Sequence, residues 1–321
     1  MAETDIALTS DGAFVLRVAD GVHDRIAAWI PNHRSVVGRD ESEISQSDRA
    51  ILCVKPSGDV GTNLDDSIDV SGLVESPTLT LANVAAHISA DRLQLRGPSG
   101  VVGDIDLVAR RGTVRAAATA STYEVHGALT LAAALLLGRI GHALIHAAAL
   151  VDPLGRGWLL VGDSHAGKTT TCATLITAGW QFIADDQVVV HCNEGRVVAE
   201  GWPREPHLDA GWAAKEVEGR RIPADLHAIR SDAWSPHAEL RGVVFPVVAA
   251  EQTTRSASVS SADALTRIVR QSPWLFADVT VAPATLALLT RIASLECSAL
   301  ILGRDSYAHG DVLAAQFPVL R

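Results

Sequence analysis

Polar and apolar positions alternate in short runs over roughly the first third of the chain. Ala13 to Val18, Ser35 to Val37, Ala50 to Val54, Thr78 to Leu81, Arg92 to Leu95 and Gly112 to Ala118 each carry aliphatic or β-branched residues at strand spacing, with turn-forming residues between them. This predicts a β-rich N-terminal domain over residues 1–122. Lys55 to Asn63 reads as a loop and Arg96 to Gly100 as a turn between two strands. At Tyr123 the period changes. Val125, Leu129, Leu131, Leu135, Leu136 and Ile140 recur at near-helical spacing among alanines, which predicts a buried helix from Tyr123 to His142, capped by Gly141. That helix would open a second domain over residues 123–321.

The second domain continues with an apolar strand, Leu144 to Val151, a turn over Asp152 to Gly157, and a strand from Trp158 to Val161. A helix from Thr169 to Ala178 should end at Gly179. Gln181 to Ala184 and Gln187 to Val190 read as strand, interrupted by Asp185 and Asp186. Further on, helices are expected over Ala262 to Gln271 and Pro283 to Ala293, then a strand over Ser298 to Leu302. The overall expectation is an α/β protein.

Composition narrows the function classes. Hydrophobic residues make up 48% of the 321 positions and charged residues 20%, which is the balance of a globular chain. The formal net charge of -10, with both signs dispersed, leaves no basic stripe for nucleic acid. Met1 to Asp5 lacks a basic, apolar leader pattern, and the longest apolar run, Leu129 to Leu137, falls short of the ~18 residues that suggest a membrane span. A cytoplasmic protein with no membrane partner is expected. The four cysteines, Cys53, Cys172, Cys192 and Cys297, form no C-x-x-C pair and suggest neither a zinc site nor a disulfide framework.

The strongest chemical signal lies between the strand at Val161 and the following helix. Gly162, Asp163, Ser164, His165, Ala166, Gly167, Lys168 and Thr169, followed by Thr170, match the pattern G-x-x-x-x-G-K-[ST]. Such a loop turns successive N–H groups inward onto phosphate oxygens, the lysine adds a positive charge, and the hydroxyl after it can hold Mg²⁺. Only three of the 27 basic residues are lysines, Lys55, Lys168 and Lys215, so a lysine at this place in an arginine-rich chain points to a need for a compact ammonium. ATP and Mg²⁺ are the expected ligands.

Asp185 and Asp186 follow Lys168 by 17 and 18 positions, on the strand directly after the loop's helix. Two adjacent carboxylates in an apolar run need partners if buried. One would contact Mg²⁺ while the other accepts a proton from an acceptor hydroxyl, as phosphoryl transfer requires. An exposed strand end or turn is the plainer reading of the pair. His146, alone in an apolar strand, reads by itself as a hydrogen-bonded core residue, yet pairing of its strand with the loop strand would bring it near the acidic pair. Arg204, Arg241 and Arg270 are candidate phosphate or acceptor contacts, with solvated surface as the simpler reading of each.

Together, His146, the loop from Gly162 to Thr169, Gly179 and Ala184-Asp185-Asp186 resemble the bacterial HPr kinase/phosphorylase family over roughly Ile145 to Val190. That resemblance implies a phosphate-loop core related to phosphoenolpyruvate carboxykinases, preceded here by the β-rich domain, and phosphoryl transfer to a protein serine. It implies Asp186 as proton acceptor, His146 as an active-site partner, Lys168 as phosphate ligand, Thr169 as Mg²⁺ ligand and Asp185 as part of the metal shell. It also implies homo-oligomers. Val198 to Arg204 resembles HPr-kinase-like proteins of peptide-modification clusters, including lasso-peptide kinases, and makes Glu200 a further candidate metal ligand. The family has glycine where this chain has His165, a residue that reaches left-handed backbone at modest cost. No arginine- and glycine-rich stretch of the kind the bifunctional enzymes use for dephosphorylation is recognisable, which argues against a phosphorylase activity. The acceptor would be a serine of a peptide or protein, or a small hydroxylated metabolite. A nucleotide sensor or scaffold with impaired transfer, and a hydrolytic ATPase, are the alternatives.

Overall fold

The computed structural model describes residues 3–9, 12–19, 22, 26, 49–57, 78–201, 207–209, 221–223, 226, 230–249, 253–307 and 310–317. It is mixed α/β with two large sheets, in two compact units: Met1–His142 with Trp274–Thr285, and Ala143–Pro273 with Leu286–Arg321. The expected strand at Ser35 to Val37 and most of the expected loop after Pro56 lie outside the described residues. No helix among the described residues is long and apolar enough to cross a membrane.

The first unit contains β1 (Glu3–Ala7), β2 (Phe14–Ala19), β3 (Ala50–Pro56), β4 (Thr78–Leu81), β5 (Val84–Ile88), β6 (Arg92–Gly97), β7 (Val101–Asp106) and β8 (Arg111–Ala116) in the order β1-β2-β3-β8-β7-β6-β5-β4. β3 is parallel to both β2 and β8, and the other neighbours are antiparallel. Phe14, Leu16 and Val18 are buried, as are Leu52 and Val54, Leu93 and Leu95, and Val101 and Ile105. This is the period of two by which a strand offers one face to a core. The other face carries cross-strand ion pairs, Arg17 to Asp5 and Arg92 to Asp104, each at 2.7 Å.

Helix α1 (Thr122–Gly138) packs on the β6, β7 and β8 region. Ser121 caps it by accepting from the Glu124 N–H. The buried Glu124 carboxylate accepts from the Ser99 N–H at 3.0 Å and the Ser99 hydroxyl at 2.6 Å, tying the first turn to the β6–β7 turn. This helix belongs to the first unit, whose first segment ends at His142. Its apolar residues complete the first core, and Arg139 at its end forms a fork with Asp278, at 2.6 and 3.0 Å, that draws residues 274–285 into the same unit.

The second unit is built on β9 (Ala143–Ile145), β10 (Ala147–Val151), β11 (Gly157–Val161), α2 (Lys168–Thr177), β12 (Gln181–Ala184), β13 (Val188–Asn193), β14 (Arg196–Gly201), β15 (His207–Asp209), β16 (Arg221–Pro223), β17 (His237–Val248), β18 (Arg255–Ser258), α3 (Ser261–Arg270), α4 (Ala282–Ala293, from Leu286 onward in this unit), β19 (Glu296–Leu302) and α5 (Gly310–Ala314). Its sheet runs β12-β10-β11-β17-β14-β13-β9, with β19 beside β17 and β18 beside β19. β17 is shared: its first half pairs antiparallel with β14, and its second half runs parallel to β11 and β19. β10 and β11 form the expected antiparallel hairpin, with Ala147 opposite Val161. Under α2 lies a core of Trp158, Leu160, Leu175, Ile176, Trp180, Phe182 and Phe317, in which Phe317 meets Trp158 and Trp180 edge-on at 5.4 and 4.6 Å. That core fixes the strand and the helix that flank the glycine-rich loop.

Candidate active site

The loop from Gly162 to Gly167 begins where β11 ends and passes directly into α2. Left-handed backbone makes this possible at two places, His165 at φ 67° and Gly167 at φ 95°. Gly167 is the N-cap of α2 with no side-chain cap, so the first turn presents backbone N–H groups towards the loop, the arrangement that binds anions.

Lys168 folds back into its own loop. Its ammonium donates to Gly162 O at 2.8 Å and Asp163 O at 3.1 Å, and lies 3.3 Å from His146 Nε2. His146 Nδ1 lies 3.0 Å from Asp186 O. A carbonyl can only accept, so we assign the proton of the neutral ring to Nδ1, which leaves Nε2 to accept from the lysine. The ring is held in this neutral form because burial and then the Lys168 charge lower its pKa. Burial likewise lowers the Lys168 pKa, opposed by Asp185 and Asp186.

On the other side of the lysine, the Thr169 hydroxyl donates to Asp185 Oδ2 at 2.8 Å. Asp185 is buried, and its other oxygen, Oδ1, has no hydrogen-bond partner. Burial first, then the neighbouring Asp186 charge, push its pKa up to about 6, against the opposing pull of Thr169 and Lys168. An orphaned buried carboxylate oxygen beside a loop hydroxyl fits a hard divalent cation such as Mg²⁺, whose charge would reverse that shift. Asp186 turns at φ 65°, in the left-handed region.

Asp185 also gives a pH signature. Its folded-state pKa of about 6 lies above the ordinary 3.8. Between those values the folded protein holds the proton that the unfolded chain releases, so stability falls as pH rises through the window. Without Mg²⁺, the stability of Asp185→Asn relative to wild type should therefore increase by on the order of 2 kcal/mol from pH 4 to pH 7, read from urea unfolding. A pH-independent difference would show that the carboxylate ionises there without penalty.

The structure thus brings His146, Lys168, Thr169, Asp185 and Asp186 together around the loop, with Thr170 next along the first turn. Glu200 is placed differently. It lies on β14 with its carboxylate 3.3 Å from the His191 ring across the β13–β14 pair. The missing side chain of its neighbour Gly201 faces Ile183 and Ala184, and successive strand residues point to opposite faces. Glu200 therefore points away from the strand that delivers Asp185. Asp163, Ser164 and His165 are exposed at the loop tip.

Gln271 is a supporting residue that no sequence pattern identified. Its side-chain amide donates to Asp163 Oδ1 at 2.7 Å while its carbonyl accepts from the His146 N–H at 2.9 Å, so the end of α3 braces both the loop and the histidine. Arg270 lies beside it, on the rim of a cavity along the loop.

No family model matches this chain, and no curated protein matches it in sequence. Among solved structures, the Hpr(Ser) kinase/phosphatase from Coxiella burnetii shows a weak resemblance, with a TM-score of 0.30 and 12% identity over 54% of this chain and 93% of that one.

Proposed function

We propose that this chain is an ATP- and Mg²⁺-dependent kinase that transfers the γ-phosphoryl group to a hydroxyl. The observation that carries the reading is the convergence on one glycine-rich loop of a buried lysine and of a carboxylate, hydrogen-bonded to Thr169, whose second oxygen has no partner. The α2 N-terminus and Lys168 bind the triphosphate, and Thr169 with Asp185 would hold Mg²⁺. When bound, that ion neutralises charge on the β- and γ-phosphate oxygens.

Asp186 is the proton acceptor in this mechanism. The acceptor hydroxyl oxygen forms a bond to the γ-phosphorus as the bond from phosphorus to the bridging oxygen breaks. ADP leaves with that electron pair, and the hydroxyl proton passes to the Asp186 carboxylate. His146 positions this group from behind by holding the Asp186 carbonyl, and its Nε2 orients the lysine. The acceptor is a serine of a peptide or protein, or a small hydroxylated molecule.

Calorimetric titration of the Mg²⁺ complex of a non-hydrolysable ATP analogue tests the reading. Wild type should bind it, and Lys168→Ala should bind at least tenfold more weakly, the loss of one charge-assisted hydrogen bond at about 1.5–3 kcal/mol. Folded wild type that does not bind, or equal binding by both, would overturn the assignment.

A further inference from the structure

Among the described residues, His142, His191 and Glu200 bring three possible metal-ligand atoms within 4.8 Å of one another, and all three side chains are buried. Strand register explains the convergence. β9 pairs with β13 so that Ala143 lies opposite Val190, and His142, bonded directly to Ala143, comes next to His191 one step further along. β14 pairs with β13 so that Glu200 lies opposite Val189, two residues from His191 and therefore on the same face. His191 Nε2 and Glu200 Oε1 are 3.3 Å apart. Ligands about 2.0–2.1 Å from a tetrahedral ion stand about 3.3 Å from each other, so this pair already spans one edge of such a site. His142 Nδ1 lies 3.0 Å from Ile140 O. That carbonyl can only accept, so we assign the ring proton to Nδ1 and the lone pair to Nε2. A ring tethered in this way through its other nitrogen is the usual support of a metal-ligating histidine.

We infer that these side chains form a Zn²⁺ site, with His142 Nε2, His191 Nε2 and Glu200 Oε1 as protein ligands and water in the fourth position. Two imidazoles and a carboxylate suit Zn²⁺, whereas Mg²⁺ takes oxygen ligands. The site is separate from Thr169 and Asp185. His191 lies three positions beyond Val188 on β13, roughly 10 Å of strand, and Asp186 precedes that strand. With its donors buried, the ion acts on the fold. β9 has only three residues and ends its sheet, yet it leads directly into His146, and β13 begins two positions after Asp186. An ion that joins β9, β13 and β14 at this end fixes the strand pairing behind the contact of His146 Nδ1 with Asp186 O.

The test uses the full chain, stripped of metal by a chelator and then kept in excess Mg²⁺ so that oxygen-only sites are filled. Zn²⁺ is titrated in competition with a chromophoric chelator, and Co²⁺ reports the coordination geometry. Wild type should bind a single equivalent of Zn²⁺, gain in thermal midpoint on binding it, and give with Co²⁺ the intense visible absorption of a four-coordinate ion. His191→Gln and Glu200→Gln should each weaken Zn²⁺ binding about a hundredfold, and Asp185→Asn should bind it as wild type does. Should either strand variant fail to fold, His142→Gln, just outside β9, takes its place with the same expected loss. No stoichiometric Zn²⁺ binding by wild type, a weak six-coordinate Co²⁺ spectrum, or an affinity that survives the histidine and glutamate substitutions overturns the inference. Loss of Zn²⁺ in Asp185→Asn alone overturns it too, by moving the ion to the loop. None of these outcomes depends on nucleotide binding, so the zinc site and the kinase reading stand or fall separately.

Discussion

Asp186→Asn is expected to bind Mg²⁺ and an ATP analogue as wild type does and to transfer the phosphoryl group about 10³-fold more slowly, the middle of the range for losing a general base. The substitution is clean because of the backbone. Asp186 sits at φ 65°, and asparagine enters the left-handed region as readily as aspartate. The hydrogen bond from His146 Nδ1 goes to the main-chain oxygen of residue 186 and survives the change. On the kinase reading, only the proton acceptor is lost. Binding and turnover measured on one preparation separate the outcomes: unchanged turnover would remove Asp186 from chemistry, and turnover that is insensitive to any added acceptor would point to hydrolysis. Asp186→Ala is the less informative variant, since it adds backbone strain to the loss of charge.

Gly201→Ala should destabilise the second unit by about 3 kcal/mol, the upper end of ordinary overpacking costs. A Cβ there would collide with Ala184 and lie 2.7 Å from the Ile183 carbonyl. Main-chain atoms of β12 cannot turn aside as a side-chain end can. β12 leads straight into Asp185, so a displaced strand would also shift the carboxylate away from Thr169 and weaken Mg²⁺-dependent nucleotide binding with every site residue intact. Urea unfolding read alongside that binding checks both effects. A near-neutral variant would show that β14 yields to accommodate the methyl group.

Much of the molecule was legible as pattern. The strand at Thr78–Leu81 has the predicted bounds, and the loop, its helix and the acidic turn follow in the predicted order because each obeys a local rule of periodicity or turn chemistry. β7 was expected only as the second strand of the turn at Arg96 to Gly100, without bounds, because Gly103, Asp104 and Asp106 argue against a strand, yet Asp104 is matched across the sheet by Arg92. β17 escaped for a similar reason. Gly242 and Pro246 both read as breakers, but Gly242 lies where the Glu296 carbonyl and the Trp158 ring press in too closely for a side chain. The apolar run from Leu144 to Val151 proved to be two strands. His146 leaves the ladder to donate its N–H to Gln271, so β9 pairs with β13 while β10 pairs with β11 and β12. Contacts between residues far apart in the chain, such as those of Gln271 and Gly201, leave no local signature, whereas the five groups gathered at the loop could be anticipated from residue type and spacing.

The three protons of the Lys168 ammonium already have three acceptors, two from its own loop and one from His146. A phosphate arriving here has to exchange for contacts in place and gains only the difference. The loop carbonyls and the imidazole thus act as a resident competitor. They lower the affinity for every anion alike, so that stray monophosphates and sulfate find little advantage, and a ligand must engage the helix amides and a cation at the same time before the exchange becomes favourable. On this view the lysine sets a threshold for occupancy, and nucleotide affinity should fall as its internal contacts strengthen.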